Sequence, residues 1–383
     1  MGLALIFMTF GLLTGIFRLM SLNFIATDTL SGLYGLHSIA MVFGFLAAMI
    51  MTERVAGAAL IPGAKDLRAH KIMVPSILLG VIAEVLGYML GTQTVRYVGA
   101  ILLVAGCLSF LVSLRFLRRN TESKLPFDFM MLSVVALLVA ASLSAFSLPI
   151  ANLGFIMLLI SFPILFILGE RVELTRLVAT AATKTMSRVA FSFAAVSVAL
   201  FTIGSVQLLP TEANLIFLLG SLLLFAVFLS VLIAENRNIR QLLKSPRPIQ
   251  QYVAIHVGMA YMWGLIGMAL ATAYSLSKYQ LNLYDSFIHA LTVGFVGTMM
   301  LAHGPMILPG IMGRRSRDEK LTFVPLSILT LAVILRIVGE LLQLFSDSSF
   351  LRSVVALSGW LVLGTVLLFL VLMRNGIGQD PKV

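Results

Sequence analysis

Twelve stretches of about twenty mostly apolar residues, separated by short polar gaps, leave this chain one broad option, which is a set of helices that cross a bilayer. Lipid offers the backbone no hydrogen-bond partner, so each crossing segment must satisfy its own amides and carbonyls as a helix. The stretches run over 1–20, 33–52, 71–91, 95–117, 127–147, 149–169, 187–209, 213–234, 251–276, 284–311, 320–345 and 351–373. Hydrophobic residues make up 60% of the 383 and charged residues only 11%, far from the composition of a water-soluble domain. The expected fold class is therefore all-α, a polytopic membrane bundle of about twelve transmembrane helices. Short connections make 1–383 a single transmembrane domain rather than a string of modules. The first stretch lacks the basic n-region of a secretory signal, so it is expected to stay on the protein. The sole cysteine, Cys107, falls in mid-span, where a small buried apolar side chain is the plain reading.

A formal net charge of +11 would suggest nucleic acid in a soluble protein, but its distribution excludes that partner. Most of the 27 basic residues lie on one side. Arg54, Lys65, Arg68 and Lys71 follow span 2, Arg115, Arg118, Arg119 and Lys124 follow span 4, and Arg171, Arg176, Lys184 and Arg188 follow span 6. Arg237, Arg240, Lys244 and Arg247 follow span 8, Arg314, Arg315, Arg317 and Lys320 follow span 10, and Arg374 and Lys382 close the chain. Arg18, Arg96, Lys278 and Arg352 mark the other side, and Arg336 lies within span 11. Cations of this kind collect on the cytoplasmic face. The pattern predicts a multi-pass protein of the cytoplasmic membrane with both termini inside.

Four of the five histidines fall inside apolar stretches, where ionisable groups are costly and often functional. In that topology His37 and His289 each stand about five residues into a span running inward, near the outer face. His256 and His303 share a level near the inner face. His303 lies roughly 21 Å deeper than His289 at 1.5 Å per residue, and the α-helical phase between them is about 40° short of four turns, so both fall on one face of span 10. Two helices that each offer an imidazole at one depth can clamp an iron porphyrin between them. Gly44, Gly297, Gly264 and Gly310, two turns beyond the four histidines, would clear its plate. The bland alternative gives each histidine a carbonyl on a neighbouring helix and each glycine a close helix contact. His70 reads as a solvated loop residue. Glu84, near the midplane with Tyr88 one turn on, reads either as a proton relay or as a carboxyl bonded to another helix. Arg336 and Glu340 are spaced to pair. Together with Arg18, Arg96 and Arg352, Arg336 makes a sparse outer set of cations suited to haem propionates. The methionines show no ligand spacing and read as packing.

Several stretches resemble a known family. Leu36-His-Ser-Ile-Ala-Met-Val-Phe-Gly44, His289-Ala-Leu-Thr-Val-Gly294 with Thr298-Met-Met-Leu-Ala302, and Ile255-His-Val-Gly258 with Ala260-Tyr-Met-Trp263 are similar to motifs of the NnrS family. Phe162-Pro-Ile through Gly169-Glu-Arg-Val172 is a weaker match. The resemblance implies a twelve-helix membrane protein distantly similar to the core subunit of haem-copper oxidases and associated with haem, copper and nitric oxide. It implies functional roles for His37, His256 and His289. The chain departs from the family where a second histidine falls on Ile39, a glutamate on Ala40 and another histidine on Ile311, and His303 is extra to the pattern. Fewer imidazoles argue against copper, and none lies in spans 6 and 7.

These readings converge on a b-type haem protein of transmembrane electron transfer or nitric oxide chemistry, with redox proteins or quinone as partners. His37 and His289 would hold an outer haem, and His256 and His303 a second, inner one. A secondary transporter using Glu84, Arg336 and Glu340 is the competing reading. Such folds carry internal repeats, and the sequence offers a faint echo between His37-Ser-Ile-Ala-Met and His289-Ala-Leu-Thr-Val. A third reading is a non-catalytic anchor subunit of a redox complex. Whether the chain is an enzyme stays open at this point.

Overall fold

A computed structural model describes residues 2–21, 35–58, 67–145, 153–175, 180–206, 213–277, 280–311, 323–346 and 348–376. Among these residues the only regular structure is helix, in twelve segments each long and apolar enough to cross a membrane. We label them α1 Gly2–Ser21, α2 35–58, α3 Arg68–Leu90, α4 Gln93–Arg119, α5 Leu125–Ala145, α6 Leu153–Thr175, α7 Ala181–Ser205, α8 Ala213–Leu243, α9 Pro248–Leu276, α10 281–311, α11 Val324–Gln343 and α12 Ser349–Gly376. The chain is a polytopic membrane protein. Leu79, Ile101, Leu222, Leu331 and Trp360 stand exposed along their helices, as lipid-facing side chains do.

Several helices outrun their apolar stretches at the basic end. Arg54 lies within α2 and Arg171 within α6 rather than in loops, because charged residues propagate a helix that apolar ones have begun. His70, expected in a solvated loop, is instead in the first turn of α3, where its Nε2 and the Ser113 hydroxyl are 2.7 Å apart. Lys65, Arg176, Lys278, Arg314, Arg315, Arg317, Lys320 and Lys382 lie outside the described residues, as do the side chains of Gly310, Ile311 and Arg374.

The helices pack as two compact units, Met1–Leu174 with Ala194–Gly220, and Thr175–Phe193 with Ser221–Val383. In the first, α3 and α4 form a close hairpin through Gly80, Gly99 and Gly106, and α2 packs on α1 and α3. Helix α6 is buried along almost its whole length, which explains why it is apolar on every face. In the second, α9 packs on α10, α10 on α11, and α11 on α12.

Two features were not expected. Residues Ala40–Ala47 of α2 and Ala290–Gly297 of α10 wind as π-helix, with i→i+5 bonding. Such winding is rare and concentrates at functional sites.

The second feature is a repeat. Helices α1–α4 and α9–α12 share one packing register. A methyl added at Gly44 would lie 2.7 Å from the Phe7 ring, and one at Gly294 would lie 2.8 Å from Trp263. Gly11 meets Met41 and Ala40 as Gly267 meets Leu291 and Ala290. The two π segments coincide in this register, which aligns Ala40, Gly44, Phe45 and Met49 with Ala290, Gly294, Phe295 and Met299. In the hairpins that follow, Glu84 aligns with Glu340 and Arg96 with Arg352. The first-turn bonds Arg96 N–H to Thr92 O and Arg352 N–H to Ser348 O also coincide. The echo read between His37 and His289 therefore had its register two residues off, since His37 aligns with Phe287 and His289 with Ile39.

Candidate functional site

Each of the four histidines within the apolar stretches directs Nδ1 at a backbone carbonyl. His37 meets Gly11 O at 2.7 Å, His256 meets Tyr252 O at 2.8 Å, His289 meets Asp285 O at 2.9 Å and His303 meets Met299 O at 2.9 Å. A carbonyl only accepts, so a neutral ring bonded there carries its proton on Nδ1 and presents Nε2 as the lone pair. Helix α1 makes room for the His37 ring with a Gly11-Leu-Leu-Thr-Gly15 face, on which a methyl at Gly15 would lie 2.9 Å from the imidazole. The bland reading of a histidine bonded across to a neighbouring helix thus holds for Nδ1 of His37. In the other three the carbonyl lies one turn back on the same helix.

His256 is wholly buried, and among the described residues its Nε2 has no hydrogen-bond partner. The ring lies 3.9 Å from the Tyr252 ring, centre to centre, and 5.9 Å from that of Phe323, with which it stacks. Tyr252 in turn gives its hydroxyl proton to Leu301 O of α10 at 3.3 Å, two residues before His303. Tyr252 thus links the His256 ring of α9 to the stretch of α10 that carries His303. Further along α9 the Tyr261 hydroxyl donates to Glu235 at 2.6 Å, both groups being buried. Glu235 escaped the sequence reading because it sits past the apolar stretch of span 8, on the part of α8 that continues inward. Tyr261→Phe should lower stability by about 2 kcal/mol, the usual value of a hydrogen bond to a charged partner, read by thermal unfolding in detergent.

His289 stands in a cluster the sequence reading half saw. Its Nδ1 is 3.3 Å from Asp285 Oδ2, and that oxygen accepts a hydrogen bond from Arg336 Nε at 2.5 Å and lies 2.5 Å from Nη2 in the same ion pair. Glu340 lies 3.8 Å from Arg336 Nε. The expected Arg336–Glu340 pair exists, yet Asp285 is the closer partner. Asp285 could have been found as the carboxylate one helical turn before His289. Arg336, expected to meet haem propionates, is committed to Asp285. Arg96 is likewise engaged, with Nε 3.6 Å from Glu84, Nη2 donating to the Tyr88 hydroxyl at 3.0 Å, and the guanidinium 4.0 Å above the Tyr88 ring. Glu84 is thus tied to Arg96 across the α3–α4 hairpin. Arg18 is buried near the end of α1.

Two geometric expectations do not survive. Gly44 and Gly264 clear no plate, because Phe7 and Phe228 fill the space beside them, whereas at Gly297 the nearest atoms are Leu329 Cδ2 at 3.5 Å and Thr292 O at 3.7 Å, ordinary contacts. The shared face of His289 and His303 was computed at α-helical pitch, but the π segment between them turns each residue through a smaller angle. At the inner end of the first unit Arg54 pairs with Glu170 at 2.7 Å and with Glu173 at 3.4 Å. His37 belongs to the first unit, and His256, His289 and His303 belong to the second. Among the described residues no three His, Cys, Asp or Glu side chains gather into a group that could hold a metal ion.

Over residues 1–375 the chain matches a family described as a domain of unknown function, DUF8744. That match lends the resemblance to the NnrS family no support. No curated protein is similar to the chain.

Proposed function

The chain belongs to the DUF8744 family, and we propose that within it this protein is a b-type haem-binding membrane protein of transmembrane electron transfer or nitric oxide redox chemistry. The observation that carries the reading is the Nε2 of His256, a buried lone pair with no partner among the described residues. Leaving such an atom unsatisfied costs about 1–3 kcal/mol, and coordination to iron would offset it. The Nδ1 bond to Tyr252 O is the outer contact that fixes a ligating imidazole in its ring position and tautomer. A porphyrin supplies most of its iron's ligands itself and asks the protein for one or two axial ones. That demand suits scattered single histidines better than a bare ion does.

His256 and His303 are the inner ligand candidates, and His37 and His289 the outer ones on their depth in the sequence. Bound haem would supply one-electron chemistry and, with one axial position open, a site for a diatomic gas. The nitric oxide part rests on the resemblance at span 10 alone. The cation distribution supports a cytoplasmic membrane location with both termini inside. Redox proteins or quinone are the expected partners.

Purified protein is expected to show a Soret band and a b-type pyridine haemochrome, with His256→Ala diminishing both. A colourless protein, or a spectrum indifferent to all four His→Ala substitutions, would sink the proposal. A second reading, a secondary transporter built on Glu84, Arg336 and Glu340, is favoured by the four-helix repeat, since transporters are commonly duplicated. A colourless protein that moves a solute into proteoliposomes would establish it.

A further inference from the structure

The repeat supplies an internal reference, because two copies of one module show which residues the architecture itself requires. Both copies keep the aromatic-over-glycine contact, the π segment and a Glu and Arg at aligned positions of the hairpin. At other positions the copies part, and three of these lie together. Asp285, His289 and Arg336 in the second copy stand where the first has Gly35, Ile39 and Gly80. Gly80 packs so closely on Leu103 that an added methyl would lie 2.9 Å from its Cδ2, leaving no room for a side chain. In the second copy the residue aligned with Leu103 is Gly359, so the register exchanges bulk between the two helices where Arg336 is introduced.

These differences are linked by contact. Arg336 holds Asp285 Oδ2 through a hydrogen bond from Nε and an ion-pair contact from Nη2, and the same oxygen lies 3.3 Å from His289 Nδ1. Asp285 also gives His289 its backbone carbonyl at 2.9 Å. Asp285 and Arg336 are buried, while the His289 side chain is 19% exposed. Two charged groups have been placed inside a membrane helix pair, at positions the module can fill with glycine, one beside the imidazole and the other on that carboxylate.

We infer that Asp285 and Arg336 are positioning residues for His289, added in the second copy of the module, and that His289 is thereby a ligand with imidazolate character. The inference rests on the haem reading for the identity of the ligated group. The carboxylate at Nδ1–H strengthens the donor power of Nε2 and favours the oxidised metal, and Arg336 keeps that carboxylate aimed. Glu84 with Arg96 in the first copy ties α3 to α4, and Ile39 stands there where the second copy has His289.

The test is haem titration of the cofactor-depleted full-length protein, with a redox titration of the loaded form. Asp285→Asn should weaken haem binding by ~10–100-fold, the range found when partners of metal-bound histidines are removed, and should raise the midpoint potential. Glu84→Gln should change neither. If Asp285→Asn binds haem as the parent does, at the same potential, the inference is overturned. Arg336→Lys, which keeps the charge and loses the fork, replaces Asp285→Asn if that variant does not fold, with a smaller shift expected in the same direction. If the parent protein binds no haem, the haem reading fails and a separate measurement decides the inference. In protein labelled with nitrogen-15 histidine, the Nδ1–H resonance that disappears in His289→Ala should move in Asp285→Asn. An unmoved resonance overturns it.

Discussion

Arg336→Met is expected to lose about 3–5 kcal/mol of stability, the usual penalty for stripping one partner from a buried ion pair. The side chains of Arg336 and Asp285 are only 5% and 9% exposed, so little solvent screening reduces the effect. Methionine roughly fills the volume, which isolates the electrostatic loss. Asp285 would lose the guanidinium that faces it, and Glu340, 3.8 Å from Nε, would lose a weaker contact. The double variant Arg336→Met with Asp285→Leu should recover most of the loss, because replacing both partners of a buried pair with apolar groups is often neutral or better. Thermal unfolding in detergent micelles measures both. A double variant as unstable as the single one would show that packing, rather than the stranded carboxylate, sets the cost.

Gly154→Leu is the second large effect. A methyl at Gly154, in the first turn of α6, would lie 2.5 Å from Ser205 N and 2.6 Å from Phe201 O of α7. Backbone atoms cannot turn aside as a flexible side chain can, so the helix ends must separate. Overpacking of this kind costs about 1–3 kcal/mol, occasionally more, and a backbone contact places this site at the upper end. Gly204→Ala is the matched control within the same unit. There the nearest atom is Ile216 Cγ2 at 3.5 Å, an ordinary contact. Alanine inside a helix gains about 0.5–1 kcal/mol over glycine, so the control should hold or raise the unfolding temperature while Gly154→Leu lowers it.

Hydropathy carried the helix count because a span is set by length and apolarity, both written directly in the residues. Its ends were less legible, since Arg54, Arg171 and Glu235 continue helices that the apolar stretches only begin. The π segments of α2 and α10 were invisible to a reading at 3.6 residues per turn. They also undid the one argument that depended on that pitch, the shared face of His289 and His303. The glycines misled because a gap in one helix is most often filled by the next, as Phe7 fills Gly44 and Phe228 fills Gly264. Asp285 is legible only as a local signal, a carboxylate one turn before His289, and its partner Arg336 lies 51 residues further along the chain. The repeat was missed for a related reason. Aligning histidine with histidine imposed a register, and the structure shows that glycine and aromatic residues set it instead.

The two π windows have a mechanical meaning beyond marking a location. A helix bonded i→i+5 holds more residues per turn than its α-helical flanks and a wider backbone. Between His289 and His303 this makes the angular phase of one imidazole against the other a property of local winding rather than of sequence distance. A change of winding confined to Ala290–Gly297 would rotate the inner half of α10 against the outer half, with the i→i+4 bonds on either side left intact. The aligned window Ala40–Ala47 gives α2 the same freedom just inward of His37. Each π window sits beside an imidazole on its own helix, close after His37 in α2 and directly after His289 in α10, so the direction of each ring is tied to the winding of the turn next to it.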